Sequence, residues 1–394
     1  FLENNKLLEG VKILDFTGVI AGSYCTKQLS DLGADVLKIE HPDGDIMRKV
    51  APLIGEFSTV YAALNAGKRN LSLNLKKPAA VKICKSLCKE YDIVVENFKP
   101  GVMERLGLGY SDLRKVNKKI IMCSISGFGQ KGPKSKTPAY APIIQALSGF
   151  DKTYISNQEN LKKPLNMGPP IGDTTASLQA YGSICAALYY REKKGIGQHI
   201  DIAMMDSLLS TMHKDIQNAL LKSGTDRTYG PIRTADGHII LMPLSKKQFI
   251  SLAKSIGQPN LVKDPRFVSD TLRLKNYDTL MHLVENYTKN IISEKVVKLF
   301  ANADIPCATY RTLKEALEDS QTTSRKLLIN SEHEGKQFSF LDAPVKFSET
   351  QSKKSKHTAS VGQHTSEVLT EELRLAETEI KKLFDDNVIF SKSS

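Results

Sequence analysis

The chain has 394 residues, of which 41% are hydrophobic and 25% are charged. This balance is that of a globular protein with room for about two to three domain-sized units. No run of about 18 apolar residues occurs, so the sequence predicts no membrane span and no membrane partner. The net charge is +12, but basic residues are spread along the chain and Trp is absent. We therefore expect no nucleic-acid partner, while a ligand with several phosphates fits the charge.

Cysteine usage points to reduced thiols rather than to a disulfide scaffold or a zinc site. The six cysteines stand at positions 25, 84, 88, 123, 185 and 307 without a C-x-x-C pair. Cys84 and Cys88 are spaced as neighbours along one helix. Because the chain is basic and opens on Phe1 rather than Met, we expect the mitochondrial matrix in a eukaryote and the cytoplasm otherwise.

The first part of the chain alternates between strand and helix patterns. Residues 11–16 and 35–40 read as buried strands, joined by a flexible turn at 18–23 and a helix over 24–32. The pattern then predicts helices at 79–90 and 111–116 and strands at 92–96 and 119–124. Such alternation predicts an α/β fold with a doubly wound parallel sheet.

The pattern changes in the second half of the chain. Three elements precede the change: a helix over 174–194, a strand over 197–203 and a helix over 204–223. A hairpin arm follows at 233–243, and helical patterns fill 246–301. We therefore predict a large α/β domain over 1–222 and a smaller α+β domain over 223–320. A final helical region is predicted at 365–386.

Segments that resemble phosphate-binding loops do not fit their motifs. Residues 127–132 match G-x-G-x-x-G after a strand, but Pro133 and Pro138 follow, so no helix can begin there and a loop is predicted. Residues 66–69 lack the leading Gly and the Ser/Thr of a P-loop. Glu40-His41 ends the second strand, where such sheets contact a ribose, and this alone assigns no ligand.

Gly172-Asp173 opens the long predicted helix. The simplest interpretation is that Asp173 caps the helix N-terminus. At that position the helix dipole also favours a carboxylate anion, which suits a nucleophile, and the small Gly172 would leave room for a bulky substrate. The residues alone do not choose between the two interpretations.

Several segments, together with Gly172-Asp173, resemble the family III CoA transferases of the CaiB/BaiF type. The nearest in appearance are succinate–hydroxymethylglutarate and formyl-CoA transferases. The segments are LEGVKILDF at 8–16, DLGADVLKIE at 31–40, VENFKPG at 95–101, SISGFG at 124–129, PAY at 138–140, GQHID at 197–201 and GQHTSEVL at 362–369. They follow one another in the order that the family has.

This resemblance implies a CoA transferase that moves CoA from an acyl-CoA donor to a carboxylic acid, such as succinate, through a covalent intermediate on Asp173. It implies no permanently bound cofactor and no metal, because the CoA thioester is a substrate. The implied large domain is built from both chain ends, with residues 321–394 returning to it. The implied assembly is an interlinked homodimer.

The resemblance also implies which residues contact CoA or substrate. They are Val19, His41, Leu73, Lys76, Asn97, Phe98, Arg105 and Tyr140. Lys76 and Arg105 would neutralise CoA phosphates, whereas the simpler interpretation of either is a solvated surface charge. His41 stands where some members have Arg.

Two alternatives stay open. An α-methylacyl-CoA racemase of the same family needs a His beside its Asp; here Tyr140 holds that position, and a phenol with a pKa of about 10 is a poor base at neutral pH. The other alternative is a degenerate CoA-binding protein. The glycine-rich shielding loop of formyl-CoA transferases is not visible, and the segment at 224–231 is short for the family.

Overall fold

The computed structural model describes residues 6–156, 158, 161, 163–164, 168–221 and 229–391. Contacts divide the chain into a large unit, Phe1–His213 with Lys326–Ser394, and a small unit, Lys214–Arg325. The predicted bounds of the small domain, 223–320, fall inside the second unit. Residues 224–228 of the segment that reads as short lie outside the described residues.

Strands and helices are numbered in chain order. The strands are β1 Lys12–Asp15, β2 Asp35–Glu40, β3 Leu53–Ile54, β4 Phe57–Ser58, β5 Arg69–Leu73, β6 Ile93–Glu96, β7 Ile121–Ser126, β8 His199–Ala203, β9 Ile232–Arg233, β10 His238–Leu241, β11 Cys307–Thr309, β12 Leu328–His333, β13 Lys336–Leu341 and β14 Ile389–Phe390. The helices are α1 Ala21–Asp31, α2 Thr59–Asn65, α3 Pro78–Leu87, α4 Val102–Arg105, α5 Tyr110–Val116, α6 Ala141–Leu147, α7 Phe150–Ser156, α8 Ile171–Lys194, α9 Met204–Leu209, α10 His213–Leu221, α11 Lys246–Ser255, α12 Asp270–Lys275, α13 Tyr277–Thr288, α14 Ser293–Asn302, α15 Leu313–Glu318, α16 Ser320–Ser324, α17 Thr365–Glu371 and α18 Glu377–Asp385.

The large unit is built on a seven-stranded sheet with the order β14-β5-β2-β1-β6-β7-β8. All neighbouring pairs are parallel except β14 with β5. In chain order, β2 and β5 are added on one side of β1, and β6, β7 and β8 are then added on its other side. The predicted doubly wound α/β fold is therefore confirmed, and its strand order reverses between β1 and β6.

Both faces of this sheet are covered by helices, and the side chains of each strand divide between two cores. Ile13 and Leu14 of β1 are both fully buried, yet they belong to different cores. Ile93 and Val94 of β6 divide in the same way. This alternation follows from the two-residue period of a strand, and it explains why the strands read as continuous apolar runs.

The small unit has its own core beside a three-stranded antiparallel sheet of order β11-β10-β9. The pairing of Arg233 with His238 confirms the predicted hairpin arm. Phe249, Phe267 and Phe300 are buried in this core, together with apolar residues of α13 and α14. The sheet and helices of the small unit match the predicted α+β class.

One predicted helix is interrupted. Instead of a single helix over 204–223, α9 ends at Leu209 and α10 begins at His213. Between them, the hydroxyls of Ser210 and Thr211 each donate a 2.7 Å hydrogen bond to a carbonyl three residues back. Such side-chain bonds compete with the backbone pattern of a helix, which explains the break. Residues 222–223 lie outside the described residues.

Candidate active site

A cavity of about 460 Å³ opens at the carboxyl ends of the central parallel strands. Its wall is formed by the segments that follow β1, β2, β5 and β6, and by α4. Doubly wound sheets bind ligands at this edge, where the strand order reverses. The cavity therefore lies at the edge of the sheet where folds of this type bind ligands.

Five of the predicted contact residues line this cavity, namely Val19, His41, Leu73, Lys76 and Phe98. Leu73 is buried, whereas Lys76 and His41 are exposed. Lys76 forms no ion pair with any described residue. The sequence segments that carry these residues are far apart, and the parallel sheet brings them together.

Asn97 and Arg105 stand beside the cavity rather than in its lining. The Asn97 side chain accepts a hydrogen bond from the Gly18 N–H at 2.9 Å and donates to the Gly18 carbonyl at 2.8 Å. Its amide group therefore holds the turn before α1. Arg105 is exposed on α4, a helix that lines the cavity through Val102 and is followed by a lining Leu106.

Glu40, at the place where such sheets contact a ribose, is engaged within the protein. Its carboxylate accepts hydrogen bonds from the Arg48 guanidinium at 2.6 and 2.9 Å and from the Tyr61 hydroxyl at 3.1 Å. Burial alone would raise the pKa of Glu40, but the hydrogen bonds and charge of Arg48, the charge of Lys38 and the Asp45 N–H together outweigh it and lower that pKa to about 2. At neutral pH the Glu40 carboxylate is therefore charged, and its hydrogen bonds hold the side chains of Arg48 and Tyr61.

Asp173 lies in the first turn of α8 but is not its N-cap. Pro170 holds the N-cap position, and Asp173 is the third helical residue. Among the described residues, none donates a hydrogen bond to its carboxylate. Burial raises the pKa of the Asp173 carboxyl to about 6, because desolvation disfavours its charged form. Because Pro170 and not Asp173 is the N-cap residue, the interpretation of Asp173 as the helix cap is wrong.

Helix α6 packs against the beginning of α8. A Cβ on Gly172 would lie 3.5 Å from the Cα of Ala141, so this glycine faces α6 and not an open substrate path. The buried Gln145 side chain accepts a 3.1 Å hydrogen bond from the Ile171 N–H and thereby satisfies one free N–H of α8. Tyr140 is the N-cap residue of α6 and is 67% exposed.

A direct contact connects the beginning of α8 to the wall of the cavity. Ser177, one helical turn after Asp173, donates a hydrogen bond to the main-chain oxygen of Ala21. Ala21 is the first residue of α1, and the turn just before it lines the cavity. Asp173 and the cavity are thus held in one framework, although Asp173 and Tyr140 are not among the residues that line it.

Sequence reasoning missed two residues at the cavity: Asp45, which is among the residues that line it, and Lys38, which lies behind it and pairs with Asp45. Their side chains are 1% and 3% exposed, and the Lys38 Nζ lies 3.4 Å from an Asp45 oxygen. A lysine between the apolar Leu37 and Ile39 of β2 was the available signal, because an ion is buried only when it has partners. Asp45 had no comparable signal, since it stands in a polar loop.

The described residues contain no group of His, Cys, Asp and Glu that could hold a metal ion. The six cysteines all have free thiols, and Cys84 and Cys88 share one core as expected for neighbours on a helix. No described helix is both long and apolar enough to cross a membrane.

Comparison with known proteins decides the family. The model of CoA-transferase family III matches residues 8–365. The chain belongs to CoA-transferase family III. It is an enzyme of the CoA-transferase class, and the sequence resemblance is confirmed.

Relatives and a solved structure cover nearly the whole of this family III chain. The chain is 32% identical to human succinyl-CoA:glutarate CoA-transferase, over 98% of this chain and 91% of that protein. It is 30% identical to formyl-CoA:oxalate CoA-transferase of Streptomyces avermitilis, over 98% and 100%. A CaiB/BaiF family crystal structure from Brucella suis matches with a TM-score of 0.79 and 28% identity, over 93% of this chain and 99% of that one.

Proposed function

We propose that this family III enzyme transfers CoA to a small dicarboxylic acid through a covalent intermediate on Asp173. The state of the Asp173 carboxylate carries the proposal. It is half-buried, it receives no hydrogen bond from a described residue, and it lies one helical turn from the contact between α8 and α1. A carboxylate that is poorly solvated retains its nucleophilicity, and the family membership supplies a thioester for it to attack.

The chemistry proceeds by two exchanges on Asp173. The carboxylate attacks the thioester carbonyl of the donor and expels CoA thiolate, leaving a mixed anhydride. The thiolate then attacks the aspartyl carbonyl, which releases the donor acid and leaves an aspartyl-CoA thioester. The acceptor carboxylate attacks that thioester, which expels CoA thiolate again and forms a second anhydride. The thiolate then attacks the acceptor acyl carbonyl, forms the product thioester and releases the Asp173 carboxylate. Asp173 is regenerated as a carboxylate, and no bond energy is lost to water.

The cavity accounts for recognition of CoA in this proposal. Val19, Leu73 and Phe98 offer apolar surface, while Lys76 offers a cation at the opening. Arg105 lies beside the cavity and supplies further positive charge for phosphate groups, while the imidazole of His41 lies in the lining. Tyr140 begins the helix that packs on the first turn of α8, which suits a substrate contact close to Asp173.

The choice of a small dicarboxylate rests on what the relatives are named for. The human relative is named for succinyl and glutarate, and the Streptomyces relative for formyl and oxalate. Succinate, glutarate and oxalate are short dicarboxylates. Succinyl-CoA as donor, tested against a series of C2 to C6 dicarboxylates, is therefore the first assay.

The experiment traps the intermediate. The enzyme is incubated with succinyl-CoA and quenched with hydroxylamine, and peptides are searched by mass spectrometry for a hydroxamate on Asp173. Asp173→Asn should abolish both the modification and the exchange of labelled succinate into succinyl-CoA. Asp206→Asn is the matched control, because Asp206 is also the third residue of its helix and is exposed.

Exchange that persists in Asp173→Asn, or a wild-type enzyme that exchanges acids without ever being modified at Asp173, contradicts the proposal. Incorporation of deuterium at the α-carbon of a 2-methylacyl-CoA, without acid exchange, indicates a racemase. Binding of CoA with neither reaction indicates a degenerate CoA-binding protein.

We also propose that the chain acts as a homodimer and, in a eukaryotic cell, in the mitochondrial matrix. Support for the dimer comes from α8, where Leu178, Tyr189 and Tyr190 are 48%, 68% and 43% exposed. Large apolar side chains exposed along one helix are typical of a surface that a partner covers. Light scattering coupled to size exclusion tests the dimer, and cell fractionation tests the compartment.

A further inference from the structure

The turn between β1 and α1 holds a residue in a strained backbone conformation. Val19, which lines the cavity, has a φ of 60°. That left-handed region suits glycine, and a β-branched residue there is an outlier. Strained residues persist only where the surrounding structure holds them, and they cluster at functional sites.

Three side chains hold the residues just before Val19: Asp15 of β1, Lys38 of β2 and Asn97, which follows β6. Lys38 Nζ donates a 2.6 Å hydrogen bond to the Thr17 carbonyl, and Asp15 accepts from the Thr17 N–H at 2.9 Å. The Asn97 amide bonds both the N–H and the carbonyl of Gly18. The path of the chain into residue 19 is therefore fixed on both sides of the Gly18 peptide.

Asp45 holds Val19 itself. Its two carboxylate oxygens lie 3.3 and 3.4 Å from the Val19 nitrogen, and one of them also accepts a 3.0 Å hydrogen bond from the Met47 N–H. Lys38 also pairs with Asp45, since its Nζ lies 3.4 Å from the Oδ2 atom of that carboxylate. One lysine thus bonds the turn and pairs with the carboxylate that holds the turn.

We propose that Lys38 and Asp45 are positioning residues that keep Val19 in the left-handed conformation, so that the turn presents a fixed wall to acyl-CoA. This inference rests on the proposed function for the identity of the ligand. The turn leads directly into Ala21, whose carbonyl receives the hydrogen bond from Ser177. A fixed turn therefore sets the distance between the cavity wall and the first turn of α8.

In this proposal Lys38 and Asp45 act on binding through the backbone of Val19, although Asp45 also belongs to the cavity lining. If Asp45 is replaced, Val19 relaxes to an ordinary conformation, and the binding-competent form must be regained against the strain. A glycine at position 19 has no such strain. The effect of losing Asp45 should consequently depend on which residue occupies position 19, whereas a general loss of stability would not.

The test is a double-mutant cycle read by calorimetric titration with free CoA. Asp45→Asn should raise the Kd for CoA about tenfold, the equivalent of relieving the strain of one residue. The double variant Asp45→Asn/Val19→Gly should bind CoA more tightly than Asp45→Asn alone. Asp45→Asn/Val19→Ala is the matched control and should show no such recovery, because alanine retains the strain. Losses that simply add in the Val19→Gly background overturn the proposal.

A second readout separates this inference from the proposed function. Hydrogen–deuterium exchange of the peptide spanning 17–20 should accelerate in Asp45→Asn and in Lys38→Met, relative to the wild-type enzyme, without ligand. Unchanged exchange in both variants overturns the inference that Lys38 and Asp45 hold Val19, even if the enzyme transfers CoA. A wild-type enzyme that binds no CoA overturns the proposed function, and the exchange data still decide whether Lys38 and Asp45 hold the turn.

Discussion

The hydroxyl of Ser177 on α8 donates a hydrogen bond to the main-chain oxygen of Ala21, the first residue of α1. The same hydroxyl lies 2.9 Å from the main-chain oxygen of Asp173, one turn earlier in α8. Ser177 is fully buried, so this contact cannot be replaced by water without rearrangement. It joins the helix that carries the proposed nucleophile to the helix whose preceding turn lines the cavity.

Ser177→Ala should separate binding from catalysis. We expect CoA affinity to remain within about twofold, since the cavity lining is unchanged, while kcat for succinate exchange falls about tenfold through misalignment. The lost hydrogen bond should lower the free energy of unfolding by about 1 kcal/mol. Ser183→Ala on the same helix is the control. Equal losses in kcat for the two variants would argue against a linking role for Ser177.

The Asp173 carboxyl should make the enzyme less stable as pH rises. Its pKa is about 6 in the folded chain and 3.8 ordinarily, so the folded state binds a proton more tightly. The stabilisation that this proton provides is complete below pH 3.8 and is lost as pH rises to about 6. Above that range Asp173→Asn should unfold with a free energy about 1–3 kcal/mol higher than wild type.

Urea unfolding of wild type and Asp173→Asn at several pH values between 4 and 8 measures this difference. The gap between the two curves should close toward the acid end of the series. Asp206→Asn, an exposed aspartate at the same helical position, should show no gap. A pH-independent gap would mean that Asp173 destabilises the fold for a reason other than its charge.

Lys76 should recognise the phosphates of CoA and not its pantetheine arm. Lys76→Met should raise the KM for succinyl-CoA about tenfold, with an effect that shrinks as salt increases. The KM for succinyl-pantetheine, which has no phosphate, should not change. Lys77→Met is the control, because Lys77 is exposed next to Lys76 but does not line the cavity. Equal effects on both thioesters would exclude a phosphate contact.

Breaking the buried pair of Lys68 and Asp15 should lower the free energy of unfolding of the large unit more than breaking an exposed pair. Lys68 Nζ lies 3.0 Å from an Asp15 oxygen, and the two side chains are 1% and 0% exposed. Lys68→Met leaves the Asp15 charge buried with one partner fewer, which should lower the free energy of unfolding by about 3–5 kcal/mol. Lys115→Met, which removes an exposed pair with Asp112, should cost less than about 1 kcal/mol. Similar costs for the two variants contradict this expectation.

The central sheet was readable in the sequence because its strands are buried on both faces. The predicted bounds of β2 agree with the structure at both ends, since Val36, Leu37 and Ile39 give it an apolar pattern and turns lie on both sides of it. By contrast, β5 was missed, because Arg69 and Asn70 interrupt its apolar pattern. Their polarity is explained only by the fold: Arg69 pairs with Asp35 and Glu372, and Asn70 bonds Glu40.

The candidate site was predictable in its members more than in its geometry. Family segments pointed to Val19 and Lys76, and the sheet brings both to one cavity. The sequence did not reveal that Asp173 is the third residue of the helix rather than its cap, because Pro170 and Asp173 are both compatible with an N-terminus. The role of Asp45 depends on contacts with distant residues, which no local pattern encodes.

The last strand of the sheet has a consequence for how the enzyme is made. β14 pairs with β5, which leads into the Leu73 and Lys76 side of the cavity, and the Ser72 N–H bonds the hydroxyl of Thr365, 293 residues later. During synthesis, the edge of β5 that faces away from β2 therefore stays unpaired until the whole small unit and then β14 have been made. β5, the strand that ends at the cavity-lining Leu73, gains its second neighbour only when the residues of β14 emerge, so this edge of the sheet is completed late in synthesis.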